Sequence, residues 1–438
     1  MTLLHTLTDA TRRARLSARL GTVRQLSGLM IEASGPDAVL GEVCEIAVRG
    51  DDNPLMAEVV GMRAGQVMLM PYGSSQGLAP GCVVTATGEM PSIVVGESLL
   101  GRVIDGFGHG LDGRPDPSSA ERRAVKARPM NPMHRPRITE VMETGVRTID
   151  TLLTLGQGQR VGIFAGSGVG KSTLLGMIAR HVRADINVIA LIGERGREVR
   201  EFIDKQLGPQ GLARAVVVVA TADQPALARL RAAHAAVTIA EYFRDRGRQV
   251  LLTMDSITRF AMARREVGLS AGEPPTARGY TPSVFAELPE LCERCGTGAS
   301  GGSITALLTV LVEGDDLNEP VTDCLRATLD GHIVLSRQLA NRGQYPAIDA
   351  LKSVSRLMPD LVSREQMGLA VQAVEMLALL DRNRQLVDIG AYERGTNAAL
   401  DKAIDLESGL VDFLRQADGG MPRIDALRRL GALLGGRP

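Results

Sequence analysis

Tryptophan is absent from the 438-residue chain, and aromatic residues make up 3% of it. That scarcity argues against an exposed platform on which nucleic-acid bases stack. Cysteine is sparse as well: five residues, an odd number without regular spacing, do not make a disulfide framework and fit a reducing compartment. No apolar run approaches the roughly 20 residues needed to span a bilayer. The first twenty residues carry threonine and arginine where a signal peptide would be continuously apolar. An excess of either charge is also missing. Fifty basic residues balance fifty acidic ones, so the molecule has no overall field for nucleic acid or an anionic membrane. A cytoplasmic globular protein is the expectation.

What is present is ordinary in bulk, with 44% hydrophobic and 23% charged residues, so the chain should fold. Its length suggests about three domains. Residues 1–20 can be drawn as a basic helix with Leu3, Leu4, Leu7, Ala10, Ala14 and Ala18 on one stripe and Arg12, Arg13, Arg15 and Arg19 off it. Leu16 and Leu20 do not join that stripe. A solvated helix and a docking element for a partner or anionic lipid both fit. From 22 to about 93, short runs at 29–32, 43–48, 57–60 and 66–70 broken by glycine and proline read as a small all-β unit. Residues 101–136, rich in glycine, proline and charge, read as a connection.

Between about 148 and 361 the apolar runs 161–164, 188–192, 215–220, 250–254 and 304–311 alternate with helical stretches. Strands separated by helices imply a mostly parallel sheet covered on both faces. From about 364 the chain is helix-forming, with Leu369, Ala373, Leu377 and Leu380 at helical spacing. Cys292 and Cys295 form a C-x-x-C pair without a second pair at metal-site spacing, so ordinary thiols compete with a zinc site.

The sharpest chemical signal is Ala165, Gly166, Ser167, Gly168, Val169, Gly170, Lys171 and Ser172, lying between a strand-like run and the helical stretch that Thr173 opens. Glycines let the backbone wrap close to phosphate, so that amide N–H groups and a helix N-terminus face the anion. Lys171 adds a point charge at the β and γ phosphates, and the Ser172 hydroxyl suits Mg²⁺. Ala165 stands where the strict pattern has glycine. A second apolar run ends in Asp255, which in a parallel sheet arrives at the ligand end and suits the metal; helix capping is its plain alternative. Glu194, just after the run 188–192, is the candidate that polarises the attacking water, with Glu198 as the competing carboxylate and an exposed loop acid as the bland reading.

These residues carry a resemblance. The segments FAGSGVGKSTLL (164–175), LIGERGREVR (191–200), DSITRF (255–260), GYTPSVFAELPE (279–290), EGDDLNEP (313–320) and DGHIVLSR (330–337) closely resemble the flagellar export ATPases and their virulence type III secretion counterparts. Those are similar in turn to the catalytic subunit of rotary ATP synthases. The likeness runs in order along nearly the whole chain. It implies ATP hydrolysis with Mg²⁺ by a homohexameric ring that energises export, with Glu194 as the water-activating acid. It also implies that Arg356, in SVSR, is an arginine finger given to a neighbouring subunit, and that Tyr345, in QYPA, packs against adenine.

The domain plan this implies is a basic N-terminal helix (1–20), a β-barrel (21–95), a RecA-like P-loop α/β domain (96–363) and a helical C-terminal domain (364–438). The implied partners are a stator-like regulatory protein at the N-terminal segment, a coiled-coil stalk protein, export substrates and chaperones, and an export gate. The implied place is the cytoplasmic face of the inner membrane, with no nucleic acid. The family pattern would put apolar or small residues where Cys292 and Cys295 stand. Three alternatives remain open: a rotary synthase catalytic subunit, a noncatalytic ring subunit, and an RNA-translocating ring helicase. Glu194 argues against the second, and balanced charge with few aromatics against the third.

Overall fold

A computed structural model describes residues 17–63, 65–312, 316, 318–417 and 419–435. The chain divides into two compact units, one made of the residues up to Pro91 with two short segments, 224–228 and 266–274, and the other of the remainder.

The first unit holds a closed six-stranded barrel of β1 (Leu20–Ser27), β2 (Met30–Ser34), β3 (Val43–Ile46), β4 (Leu55–Arg63), β5 (Gln66–Pro71) and β6 (Val83–Ala86), in the order β1-β2-β5-β4-β3-β6. Its strands turn Val23, Ile31, Ile46, Val59, Leu69 and Val84 into one core. Closure removes the free edges that short strands would otherwise expose. The helix expected over 1–20 lies almost wholly outside the described residues. Leu20, which failed to join its apolar stripe, belongs instead to β1 and pairs with Thr85.

The second unit is built on a nine-stranded sheet. Its main path is β14-β13-β8-β12-β11-β9-β10-β7, with β7 (Arg102–Ile104), β8 (Arg160–Ala165), β9 (Ile186–Ile192), β10 (Ala215–Ala220), β11 (Gln249–Asp255), β12 (Ser303–Leu311), β13 (Gly331–Leu335) and β14 (Val354–Ser355). Every pair from β13 to β7 along this path is parallel, and only β14 and the short strand Gly296–Thr297 pair antiparallel. β9 and β10 are buried at every position, as helices on both faces demand, and this explains why their sequences read as unbroken Val, Ile and Leu. The stretch 101–136 is more than a connection, since it supplies β7, the far edge of the sheet.

Three labelled helices matter for the site: α1 (Lys171–His181), α2 (Gly196–Glu201) and α3 (Pro320–Thr328). The C-terminal helices Arg364–Asp388, Ala398–Leu414 and Arg423–Leu434 bury Ala373, Leu380, Phe413 and Leu430 in the same core as Ile163 of β8 and Leu174 of α1. Core and tail therefore share one hydrophobic interior. Cys292 and Cys295 are buried free thiols. Burial pushes both upward, Cys295 to about 12, so they behave as small apolar side chains. No helix among the described residues is long and apolar enough to cross a membrane.

Candidate active site

β8 ends at Ala165, and the chain turns through residues 166–170 into α1. Gly170 adopts φ 91° as the residue before the helix, a left-handed conformation that side chains with a Cβ avoid. Val169 is buried and anchors the turn, while Ser167, Gly168, Ser172 and Thr173 face outward. The loop thus presents backbone amides and two hydroxyls at the N-terminus of an 11-residue helix, the geometry that attracts an anion.

The neighbouring strands deliver acids to the same end of the sheet. Asp255 is the last residue of β11 and Glu194 follows β9. Gly193 makes the turn from β9 to Glu194 possible, with φ 72° and an Arg259 carbon 2.9 Å from where its Cβ would sit. The Glu194 carbonyl then accepts a hydrogen bond from Ala222 N at 3.1 Å, which ties the turn to the end of β10. Lys171 Nζ lies 2.5 Å from Asp255 Oδ1 and 3.7 Å from Glu194 Oε1. Thr309 of β12 donates to the same Asp255 oxygen at 2.8 Å. Sequence reasoning missed Thr309, because nothing in an apolar strand marks which hydroxyl will meet an acid 54 residues away in the chain.

Burial, then repulsion from Asp255, then a hydrogen bond shared with Glu198 push Glu194 up to about 7. The shared bond moves Glu198 the other way. The two carboxyls weighed against each other in the sequence are thus partners, with the proton on the more buried one. A carboxyl poised near neutrality at a cleft suits proton transfer.

Tyr345 lies on the other side of the loop. Its ring carbons are 3.3 Å from where a Cβ on Gly170 would be. It borders a cavity of about 330 Å³ whose walls include Leu174, Met177, Pro346 and Ala417. Gln416 N donates to the Tyr345 carbonyl at 2.9 Å. Its side chain is spent on Gly145, Arg147 and Gly419. Gln416 is another residue no motif announced.

Arg356 is not brought to this cluster. Its neighbour Ser355 pairs with Gly331, level with Val161 at the start of β8, whereas Lys171 follows Ala165 at the other end. Those strand ends are about 13 Å apart at ~3.3 Å per residue. Arg356 is exposed, and its Nη2 donates to the Arg326 carbonyl at 2.9 Å.

The family model of the ATP synthase alpha/beta nucleotide-binding domain matches residues 145–355, that of the family's beta-barrel domain matches 23–88, and that of the EscN ATPase C-terminal domain of type III secretion matches 362–430. The flagellum-specific ATP synthase of Bacillus subtilis is 54% identical over 91% of both chains. The type 3 secretion system ATPase of Xanthomonas euvesicatoria is 50% identical over 91% of this chain and 90% of its own. Among solved structures, the assembled ATPase EscN of enteropathogenic E. coli superposes with a TM-score of 0.90 at 43% identity, covering 94% of this chain and 100% of that one. EscN in complex with its central stalk EscO gives 0.87 at 42% identity, with the same coverage. A phosphate-binding loop flanked by two strand-end carboxylates, set in a chain that aligns from barrel to helical tail, makes this protein a member of the flagellar and type III secretion ATPase family.

Proposed function

We propose that the chain hydrolyses ATP as one subunit of a homohexameric ring, each site completed by its neighbour, and that the ring energises unfolding and export of flagellar proteins. The observation that carries this reading is the split of the catalytic set. Lys171, Asp255 and Glu194 converge at one end of the sheet, while Arg356 stands exposed at the opposite end of β13. A phosphoryl transition state is stabilised mainly by positioning and charge, and a second copy is the natural source of the absent cation.

In this reading the backbone of 165–170 and the Ser172 and Thr173 region cradle the phosphates, with Lys171 on the β and γ oxygens. The Lys171–Asp255 ion pair has to open for the phosphates to enter. Glu194 orients the attacking water and takes its proton, and Glu198 holds Glu194 in place. A Mg²⁺ ion fits the hard oxygen donors of Ser172 and Asp255, the latter oriented by Thr309. When bound, it supplies charge neutralisation on the phosphate oxygens. Tyr345 stacks on adenine in the apolar cavity beside Gly170. Replacing it with alanine removes about 1–3 kcal/mol of stacking. Steady-state kinetics should then show KM for ATP rising about ten-fold with kcat largely kept, whereas Tyr345→Phe should behave as the parent.

The remaining assignments rest on kinship. The EscN–EscO complex supports a coiled-coil stalk entering the ring. The family supports a stator-like regulator at the N-terminal segment, export substrates and chaperones at the helical tail, an export gate, and residence at the cytoplasmic face of the inner membrane, with nucleic acid playing no part. The test of ring completion is a mixing experiment. Arg356→Ala protein should assemble yet hydrolyse poorly, and adding Lys171→Ala protein should raise turnover above the sum of the two. Coassembly without any gain, checked by size-exclusion chromatography, removes the shared-site reading.

A further inference from the structure

Two glutamines border the cavity of about 330 Å³ beside Gly170, and their side-chain amides differ in what they have left to give. Gln416 is spent: its Oε1 accepts from Arg147 N, and its Nε2 donates to the Gly145 and Gly419 carbonyls. Gln206 is not. Its backbone carbonyl accepts from Arg180 Nη1, but among the described residues its half-buried side-chain amide makes no hydrogen bond. Such an amide facing a cavity is a donor and an acceptor held ready for a ligand.

The fold keeps this amide at the end of the cavity away from the phosphate loop. The residues after α2 form a π-helical turn, Phe202–Leu207, a winding that recurs at functional sites. Phe202 and Leu207 of that turn enter the core, and Gln206 lies against α1. A Cβ on Gly176 would meet Gln206 Cβ at 2.6 Å and its Oε1 at 3.0 Å, so the bare backbone of Gly176 is what leaves the glutamine room. Gly176 lies about 9 Å farther along α1 than Gly170, where Tyr345 sits, at ~1.5 Å per residue. The other polar groups of the cavity do not match this one. Lys205 is paired with Glu201 at 2.8 Å, and lysine and arginine side chains cannot accept a hydrogen bond. Thr173 stands in the first turn of α1 beside the loop.

We propose that Gln206 reads the adenine base, its Oε1 accepting from the exocyclic N6 amine and its Nε2 donating to the ring nitrogen N1. The proposal rests on the nucleotide reading above and adds a specificity-determining residue to it. With the triphosphate on residues 165–172 and the ring against Tyr345, the base edge opposite the sugar is directed away from the loop, toward Gln206. Pairing an amide with an adenine edge uses one donor and one acceptor on each side, and Gln206 is the side chain that has both free at that end of the cavity.

The test is steady-state kinetics on the full-length chain with Mg²⁺ and ATP, GTP or purine ribonucleoside triphosphate, which is ATP without its amine. The parent should prefer ATP to the analogue by about ten-fold in kcat/KM, within the range for one amide–adenine pair, through KM with kcat largely kept. Gln206→Leu should lose that preference, because its value for ATP falls to meet that of the analogue. Gln206→Glu should lower the ratio of ATP to GTP at least about ten-fold, since a carboxylate cannot donate to N1 of adenine but accepts from both N1 and N2 of guanine. A role confined to packing the π-helical turn on α1 lowers all the nucleotides alike and moves no ratio. Parent values for ATP and the analogue within two-fold, an undiminished preference in the Leu variant, or a ratio of ATP to GTP in the Glu variant within two-fold of the parent overturns the assignment. Should the Leu variant not fold, the Glu variant decides alone by that ratio. Tyr345→Ala run in parallel separates the two claims. If it raises KM for ATP while the Gln206 variants move no ratio, the cavity holds the base and Gln206 does not read it; if none of the variants changes KM or a ratio, both readings are refuted.

Discussion

Glu194→Gln should abolish steady-state hydrolysis, with a loss of about 10²–10⁴-fold in kcat, the range for removing a positioned proton acceptor, while ATP still binds. The amide keeps the shape and can still hydrogen-bond Glu198, but it cannot accept the water's proton. Phosphate release and nucleotide binding, measured on the same preparation, separate the two effects. Near-normal turnover in the variant would remove Glu194 from the mechanism. The pH profile gives an independent check. Burial, Asp255 and the bond to Glu198 raise Glu194 to about 7, so the free enzyme carries the inactive protonated form below that pH. The value of kcat/KM, which reports the free enzyme, should decline as pH falls through about 7. Glu198→Gln removes one of the causes that raise Glu194 and should move the inflection to lower pH.

Lys171→Ala should lose about 10²–10³-fold or more in kcat/KM, and unlike the Glu194 variant it should lose nucleotide binding as well. Lys171 is the cation that Asp255 and Glu194 share. Its removal takes away the point charge for the phosphates and leaves two close carboxylates facing incoming anionic oxygens. It also removes an interaction that lowers Glu194, so the acid becomes harder to ionise. Fluorescent-nucleotide titration should show weak or absent saturation in Lys171→Ala and ordinary saturation in Glu194→Gln. Equal affinity in the two would mean that Lys171 is not a principal phosphate ligand.

Much of the architecture was legible because its signals are local. The run AVVVVA gave β10 at its full bounds, Ala215–Ala220, since only a strand covered on both faces tolerates so continuous an apolar stretch. β1 was not anticipated, because five of its eight residues are exposed and the barrel interior, not an apolar run, holds it in place. The connection 101–136 concealed β7 for a similar reason. A three-residue edge strand has no periodicity to detect, and it forms because β10 leaves a free edge beside it.

By itself the sequence determined the phosphate-binding loop, the acids that follow two apolar strands, and the family, since all depend on residues contiguous in the chain. Tertiary structure alone decided which groups meet. Thr309 and Lys171 find Asp255, Tyr345 closes on Gly170, and Arg356 comes to rest against the Arg326 carbonyl. Each of these depends on strand order and crossovers that bring distant segments within about 3 Å, the range over which a hydrogen bond acts. Chain spacing carries no record of such distances.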